Sequence, residues 1–154
     1  MSPRAACRLA TLGFSQTYDY AAGKVDWLAR NLPVEGSDAD RDTIGRHLRD
    51  DVVTARITDP IGEVRDRVAH SAHRFALVTT EGGILLGRLR GSTLDDADPA
   101  AAVAEVMEPG PSTLRPHELA ADVRARLEGR GLTSAIVTDP DGRLLGTFHP
   151  ADLT

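Results

Sequence analysis

Five histidines and a single cysteine are the side chains on which a metal site or a covalent mechanism in this 154-residue chain would have to rest. The histidines are His47, His70, His73, His117 and His149. His70 and His73, three positions apart, could share one face of a helix and offer two imidazoles to a metal. A closed site needs about four ligands, and no cysteine or carboxylate motif is spaced to supply the others. Cys7 has no partner for a disulfide within the chain. Nothing around it reads as a loop of converging backbone amides that would stabilise a thiolate. The chain also has no glycine loop for cradling phosphates, no nucleophile elbow and no pair of carboxylates placed for acid–base work. These residues predict a protein that binds rather than catalyses, with no metal.

Charge narrows the choice of partner. With 18 basic against 23 acidic residues the net charge is −5, which disfavours nucleic acid, a polyanion bound through clustered positive charge. The stretch from Met1 to Phe14 has no apolar run long enough for a signal peptide, and nothing later reaches the length of a membrane span. A lone cysteine suits a reducing compartment, so the expectation is a soluble cytoplasmic protein that interacts with neither nucleic acid nor membrane. Its length and its 41% hydrophobic content allow one compact core.

The elements that must position any site emerge when the sequence is compared with itself. An ungapped offset of 59 pairs Thr54 with Thr113, Val64-Arg65 with Val123-Arg124, Val78-Thr79 with Val137-Thr138, and Leu85-Leu86-Gly87 with Leu144-Leu145-Gly146, giving 13 identities over 41 positions. Each copy then shows one pattern twice. Ile61, Val64 and Val68, and in the second copy Leu119, Val123 and Leu127, recur at helical spacing between charged residues. A hairpin follows, turning at Glu81-Gly82-Gly83 in the first copy and at Pro140-Asp141-Gly142 in the second. Helical stretches at Asp42 to Leu48 and Pro99 to Met107 precede the copies. The predicted unit is helix, strand, helix, strand, strand. One such unit leaves an apolar sheet face uncovered, so the two should pack together.

From about Asp40 to Leu153 the chain resembles the cystathionine beta-synthase (CBS) domain family, whose repeats occur in tandem as a Bateman module. The resemblance rests on Val106-Met107, on Ser112 to Pro116, on the Thr133 to Asp139 strand and on the closing Gly146-Thr147-Phe148-His149-Pro150-Ala151-Asp152-Leu153. It implies an α/β (α+β) fold of two repeats, 41–96 and 97–154, related by a pseudo-two-fold axis with two clefts between their sheets. It also implies an adenosine-type ligand such as AMP, ADP, ATP or S-adenosylmethionine, a homodimer formed through the repeats, and a regulated protein partner not named by the sequence. A ligand-free dimerisation module is the alternative.

In the family's closing motif an aspartate accepts hydrogen bonds from the ribose hydroxyls, and Asp152 holds that position. His149 stands where the family has a hydroxyl residue. The resemblance places both opposite Thr54, Phe75 and Ala76, and this cleft is the preferred ribose site. The other cleft combines Arg90 and Thr93 with Thr113, Ser134 and Ala135. Thr93 replaces the aspartate there, and Arg74 or Arg90 could meet a phosphate. A plainer reading has Asp152 and Thr93 merely capping helix starts.

Residues 1–40 form an extension. Tyr18 to Gly36 reads as one docking helix with Val25, Leu28 and Leu32 on a face and Pro33 as its stop. Over fewer than twenty residues it resembles the final helix of a rhodanese domain, but Cys7 lacks that family's catalytic loop. Trp27 and Leu28 are expected to pack on the repeat pair or on a dimer mate, with Ser37 to Arg41 as linker.

Overall fold

The elements recur at the interval of the sequence repeat. The computed structural model describes residues 3–153. Two short helices come first, α1 (Pro3–Thr11) and α2 (Gly23–Ala29). The first half then runs β1 (Leu48–Arg49), β2 (Val53–Ala55), α3 (Ile61–Ala69), β3 (Phe75–Thr79), β4 (Leu85–Arg90) and α4 (Gly91–Asp96). The second runs α5 (Val103–Val106), β5 (Glu108–Pro109), β6 (Thr113–Leu114), α6 (Ala120–Glu128), β7 (Ala135–Thr138), β8 (Leu144–Phe148) and a 3-10 turn at Pro150–Asp152. The correspondence extends to single hydrogen bonds. Arg67 donates to Asp59 at 2.7 Å and its counterpart Arg126 to Glu118 at 2.7 Å. Both hairpins shift register at matching residues, Val78/Thr79 and Val137/Thr138.

Helices α3 and α6 form because apolar residues one turn apart face a sheet. Ile61 and Val64 are buried on α3, and Ala120, Val123 and Leu127 on α6. Neither helix has a side-chain N-cap. Backbone carbonyls satisfy their first amides instead: Ile61 donates to Ala101 O and Ala120 to Asp42 O, both at 3.0 Å. Each acceptor belongs to the segment that leads into the opposite half.

This exchange of lead-ins organises the molecule. The sheets have the orders β2-β3-β4-β5 and β1-β8-β7-β6, so β5 edges the first half's sheet and β1 the second's. The expected unit keeps its strand, helix, strand and strand within one half, β2 pairing with β3 and β6 with β7, while its lead-in crosses the pair together with a short strand, β1 or β5, that the expected unit did not contain. The lead-in expected as a helix over Asp42 to Leu48 is only a 3-10 turn at Ile44–Arg46. Ile44 is fully buried with Val123, Val137 and Phe148, while its counterpart Val103 is fully buried with Ile61, Val78 and Leu89. Two glycines at paired positions let the borrowed strands lie close. A Cβ on Gly87 would come 2.8 Å from Met107 Sδ and 2.9 Å from Glu108 O, and one on Gly146, at φ +144°, would collide with the Arg49 carbonyl.

A third cluster, Val52, Leu77 and Ile136 with Leu85 and Leu144 around it, lies between the sheets. Leu77 matches Ile136 and Leu85 matches Leu144, so the halves meet through equivalent residues about a pseudo-two-fold axis. Reciprocal bonds join the hairpin tips, Leu85 N to Gly142 O and Leu144 N to Gly83 O, each 2.9 Å. This is the face-to-face packing that the uncovered sheet required.

The extension departs from expectation. Helix α1 buries no residue, and α2 ends four residues before Pro33, where Asn31 adopts a left-handed φ of 56°. Val25 is 72% exposed and takes no part in docking. Ala29 is buried, Leu28 lines a shallow groove together with Thr43 and His117, and Arg30 bridges Asp26 at 2.8 Å and Asp141 at 2.7 Å. Trp27 turns back on its own segment, donating to Pro33 O at 2.8 Å and meeting Tyr20 edge to face. Among the described residues no helix is long and apolar enough to cross a membrane.

Candidate functional site

The pseudo-symmetry makes two equivalent clefts between the sheets, and side chains have filled one of them. In the Asp152 cleft the carboxylate is held by Arg49, which arrives on the borrowed strand β1 and donates through Nε at 2.7 Å and through Nη2. Those charged bonds draw the Asp152 carboxyl below its ordinary value. Asp152 is therefore not a helix cap, and the 3-10 turn that contains it has no side-chain cap. Thr93 is not a cap either. It lies inside α4, whose cap residue is Arg90.

Aromatic rings fill the space beside that ion pair. His73 is 5% exposed and shares a hydrogen bond of 2.9 Å with Asp51 through Nε2. Its ring centroid lies 5.5 Å from those of both Phe75 and His149. Burial, followed by the positive charge of Arg49 and the proximity of His73, pushes the His149 imidazole below its usual value. It is therefore neutral at pH 7 and presents no charge to a phosphate. His70 bonds only to its own helix, at Asp66 O, so His70 and His73 do not converge. Among the described residues no group of three His, Cys, Asp or Glu side chains could hold a metal ion.

Of the three residues expected opposite Asp152, Thr54 is exposed and its carbonyl accepts from Arg67 at 2.9 Å. Ala76 is fully buried in the first core and presents no surface to a ligand. Phe75 borders both clefts, its ring 5.5 Å from that of His73 on one side and lining the second cleft on the other. The asymmetry follows from side-chain volume. Leu132 and Ser134 occupy in the second half the positions that His73 and Phe75 hold in the first.

At the second cleft a cavity of about 480 Å³ opens between the halves. Phe75, Leu114, Leu127 and Ile136 give it apolar walls, and Ser134 and Ala135 at the start of β7 line it as well. Five arginines line it: Arg74, Arg88 and Arg90 from the first half, Arg126 and Arg130 from the second. The lining contains no carboxylate. Glu108 on the borrowed strand β5 ties together Arg88 at 2.8 Å and Arg90 at 2.6 Å, and these two guanidiniums lower its carboxyl's pKa. Arg88 Nε is buried with no hydrogen-bond partner. An unpaired buried donor of this kind costs about 1–3 kcal/mol, more when charged.

Arg90, Ser134 and Ala135 thus come together as the sequence suggested. Thr93 and Thr113 do not join them. Thr113 lines a separate groove and accepts from Arg115 at 3.1 Å. Sequence reasoning missed Arg88, Arg126 and Arg130, although spacing carried a signal for each. Arg88 and Arg90 alternate on one face of a strand, and Arg126 and Arg130 are one helical turn apart.

Residues 103–154 match the family model of the CBS domain. No curated protein matches the sequence. Among solved structures the chain is similar to the cytosolic domain of the Mg2+ channel MgtE in complex with ATP. There the identity is 27% and the TM-score 0.64, over 76% of this chain and 50% of that one. It is also similar to a CBS domain pair in complex with 5′-methylthioadenosine and S-adenosyl-L-methionine (17% identity, TM-score 0.60, covering 73% and 93%). A third similar structure is CBSX2 in complex with AMP (16%, 0.62, covering 72% and 92%). The chain spans half the length of the magnesium-channel domain that it matches. With residues 103–154 matching the CBS domain model and the two halves packed in the architecture of these pairs, the chain has the fold of a tandem CBS pair.

Proposed function

We propose that the chain is a regulatory module that senses an adenosine-type nucleotide bound in the arginine-lined cleft between its repeats. The observation that carries this reading is the cavity itself. Its volume of about 480 Å³ suits a nucleotide, since small-molecule sites run from roughly 300 to 1,000 Å³. Its walls are apolar where a base would stack, and guanidiniums ring the part where phosphates would lie. The neighbours solved with ATP, AMP and S-adenosyl-L-methionine support the adenosine class. Asp152, bound by Arg49, acts in this reading as a strut between β1 and the closing turn.

Arg90 and Phe75 belong to one repeat, Ser134 and Arg126 to the other. A ligand touching all four favours the relative orientation of the repeats that fits it, by as much as its affinity for that orientation exceeds its affinity for others. A protein partner that contacts both repeats, in a homodimer built through them, would read the shift in the cytoplasm. The chain needs no catalytic group for this task. A ligand-free dimerisation module is the competing reading, and the ring-filled Asp152 cleft is the feature that favours it.

Thermal unfolding with a panel of AMP, ADP, ATP and S-adenosylmethionine separates the two. A ligand supplied at a hundred times its dissociation constant stabilises by about 2.7 kcal/mol, a rise of roughly 5–10 °C for a domain of this size. Arg90→Ala should diminish that rise. A flat response to the whole panel would support the scaffold instead.

A further inference from the structure

The charge balance of the open cleft distinguishes between adenosine compounds. Glu108 answers Arg88 and Arg90, and Glu118 answers Arg126. Arg74 and Arg130 have no ion-pair partner among the described residues. Two carboxylates therefore face five guanidiniums, leaving three positive charges in excess around one cavity. A phosphate monoester carries about two negative charges at pH 7, so AMP would leave part of the excess uncompensated. Each further phosphate supplies more charge and more acceptor oxygens. S-adenosylmethionine carries a sulfonium and an ammonium against one carboxylate, and its net positive charge would meet like charge.

Resting on the nucleotide reading above, we infer that the cleft is specific for a nucleoside polyphosphate, a di- or triphosphate, with Arg74 and Arg130 engaging the outer phosphates. Arg74 immediately precedes β3 and Arg130 follows α6, so the two approach from opposite repeats. Both are exposed in the free protein, and each has guanidinium donors to give without breaking an existing ion pair. Arg88 and Arg90, held by Glu108, remain for the phosphate nearest the ribose. Specificity then lies in the arginines that no carboxylate neutralises.

Isothermal titration of the full chain at about 0.15 M salt, a condition that screens exposed charges over roughly 8 Å, tests the inference. ADP and ATP are expected to bind at least about tenfold more tightly than AMP, and S-adenosylmethionine to bind more weakly than AMP. The double substitution Arg74→Ala and Arg130→Ala should bring the ratio of ADP to AMP affinity close to one. Removing the same charge from α1 by Arg4→Ala and Arg8→Ala should leave that ratio as in the parent chain. Equal affinity for AMP and ADP in the parent, or tighter binding of S-adenosylmethionine than of ADP, would overturn the polyphosphate assignment and leave the nucleotide reading standing. Retention of the ADP preference in the Arg74/Arg130 variant would overturn the roles given to those arginines. Absence of binding by any adenosine compound would overturn both the assignment and the reading beneath it.

Discussion

Ser134→Phe is expected to abolish nucleotide binding while the free protein still folds. The substitution gives the open cleft the residue that its twin carries at Phe75. Ser134 lies at the mouth of β7 among the residues lining the cavity of about 480 Å³, and a phenyl ring there would occupy the space taken by a base. In the Asp152 cleft the rings of Phe75 and His73 already stand 5.5 Å apart. Because Ser134 is only partly buried, the larger side chain can lie in the cavity without displacing the core, and its cost should stay below the 1–3 kcal/mol typical of overpacking. Affinity should fall by at least about a hundredfold, or roughly 2.7 kcal/mol. Titration with ATP measures it, and the melting temperature without ligand checks the fold. Undiminished affinity would mean that the ligand sits elsewhere.

Phe148→Ala should produce the largest loss of stability. Phe148 is fully buried and is the largest side chain of the second core. It pairs with Leu48 across the junction of β8 and the borrowed strand β1. Truncating a buried phenylalanine costs about 3–5 kcal/mol, a large part of the 5–15 kcal/mol that a domain usually has. Urea unfolding should show a much lower midpoint. A change below about 1 kcal/mol would show that Phe148 does not sit in the core described here.

The parts of this architecture that the sequence made legible are those set by local periodicity. Val64 and Val123 recur at helical spacing and the hairpins alternate about glycine turns. Two copies agreeing on each pattern made α3, α6 and both hairpins readable. The exchange of lead-ins was not readable in that way. Strands β1 and β5 have two residues each, too few to show a period, and their partners are distant in sequence. The ion pair of Arg49 with Asp152 spans 103 residues, so no local pattern announces it. The family resemblance pointed to Asp152 as the ribose residue without knowing what already held it.

The choice between clefts was present in the repeat alignment, where Phe75 stands against Ser134 and His73 against Leu132. It depends on which side chains fill a shared space, and only the packed pair reveals that. The end of α2 was missed for a different reason. Pro33 is the more conspicuous stop, but Asn31 reaches the left-handed region first and ends the helix there.

The location of the site can be mapped by backbone amide NMR of the uniformly labelled chain titrated with ATP. The largest shifts should fall on Arg74, Phe75, Arg90, Ser112, Ser134 and Ala135, with little change at Arg49, Asp51, His149 and Asp152. Shifts concentrated from His149 to Leu153, with the amides around Ser134 unmoved, would contradict the assignment of the nucleotide to the arginine-lined cleft.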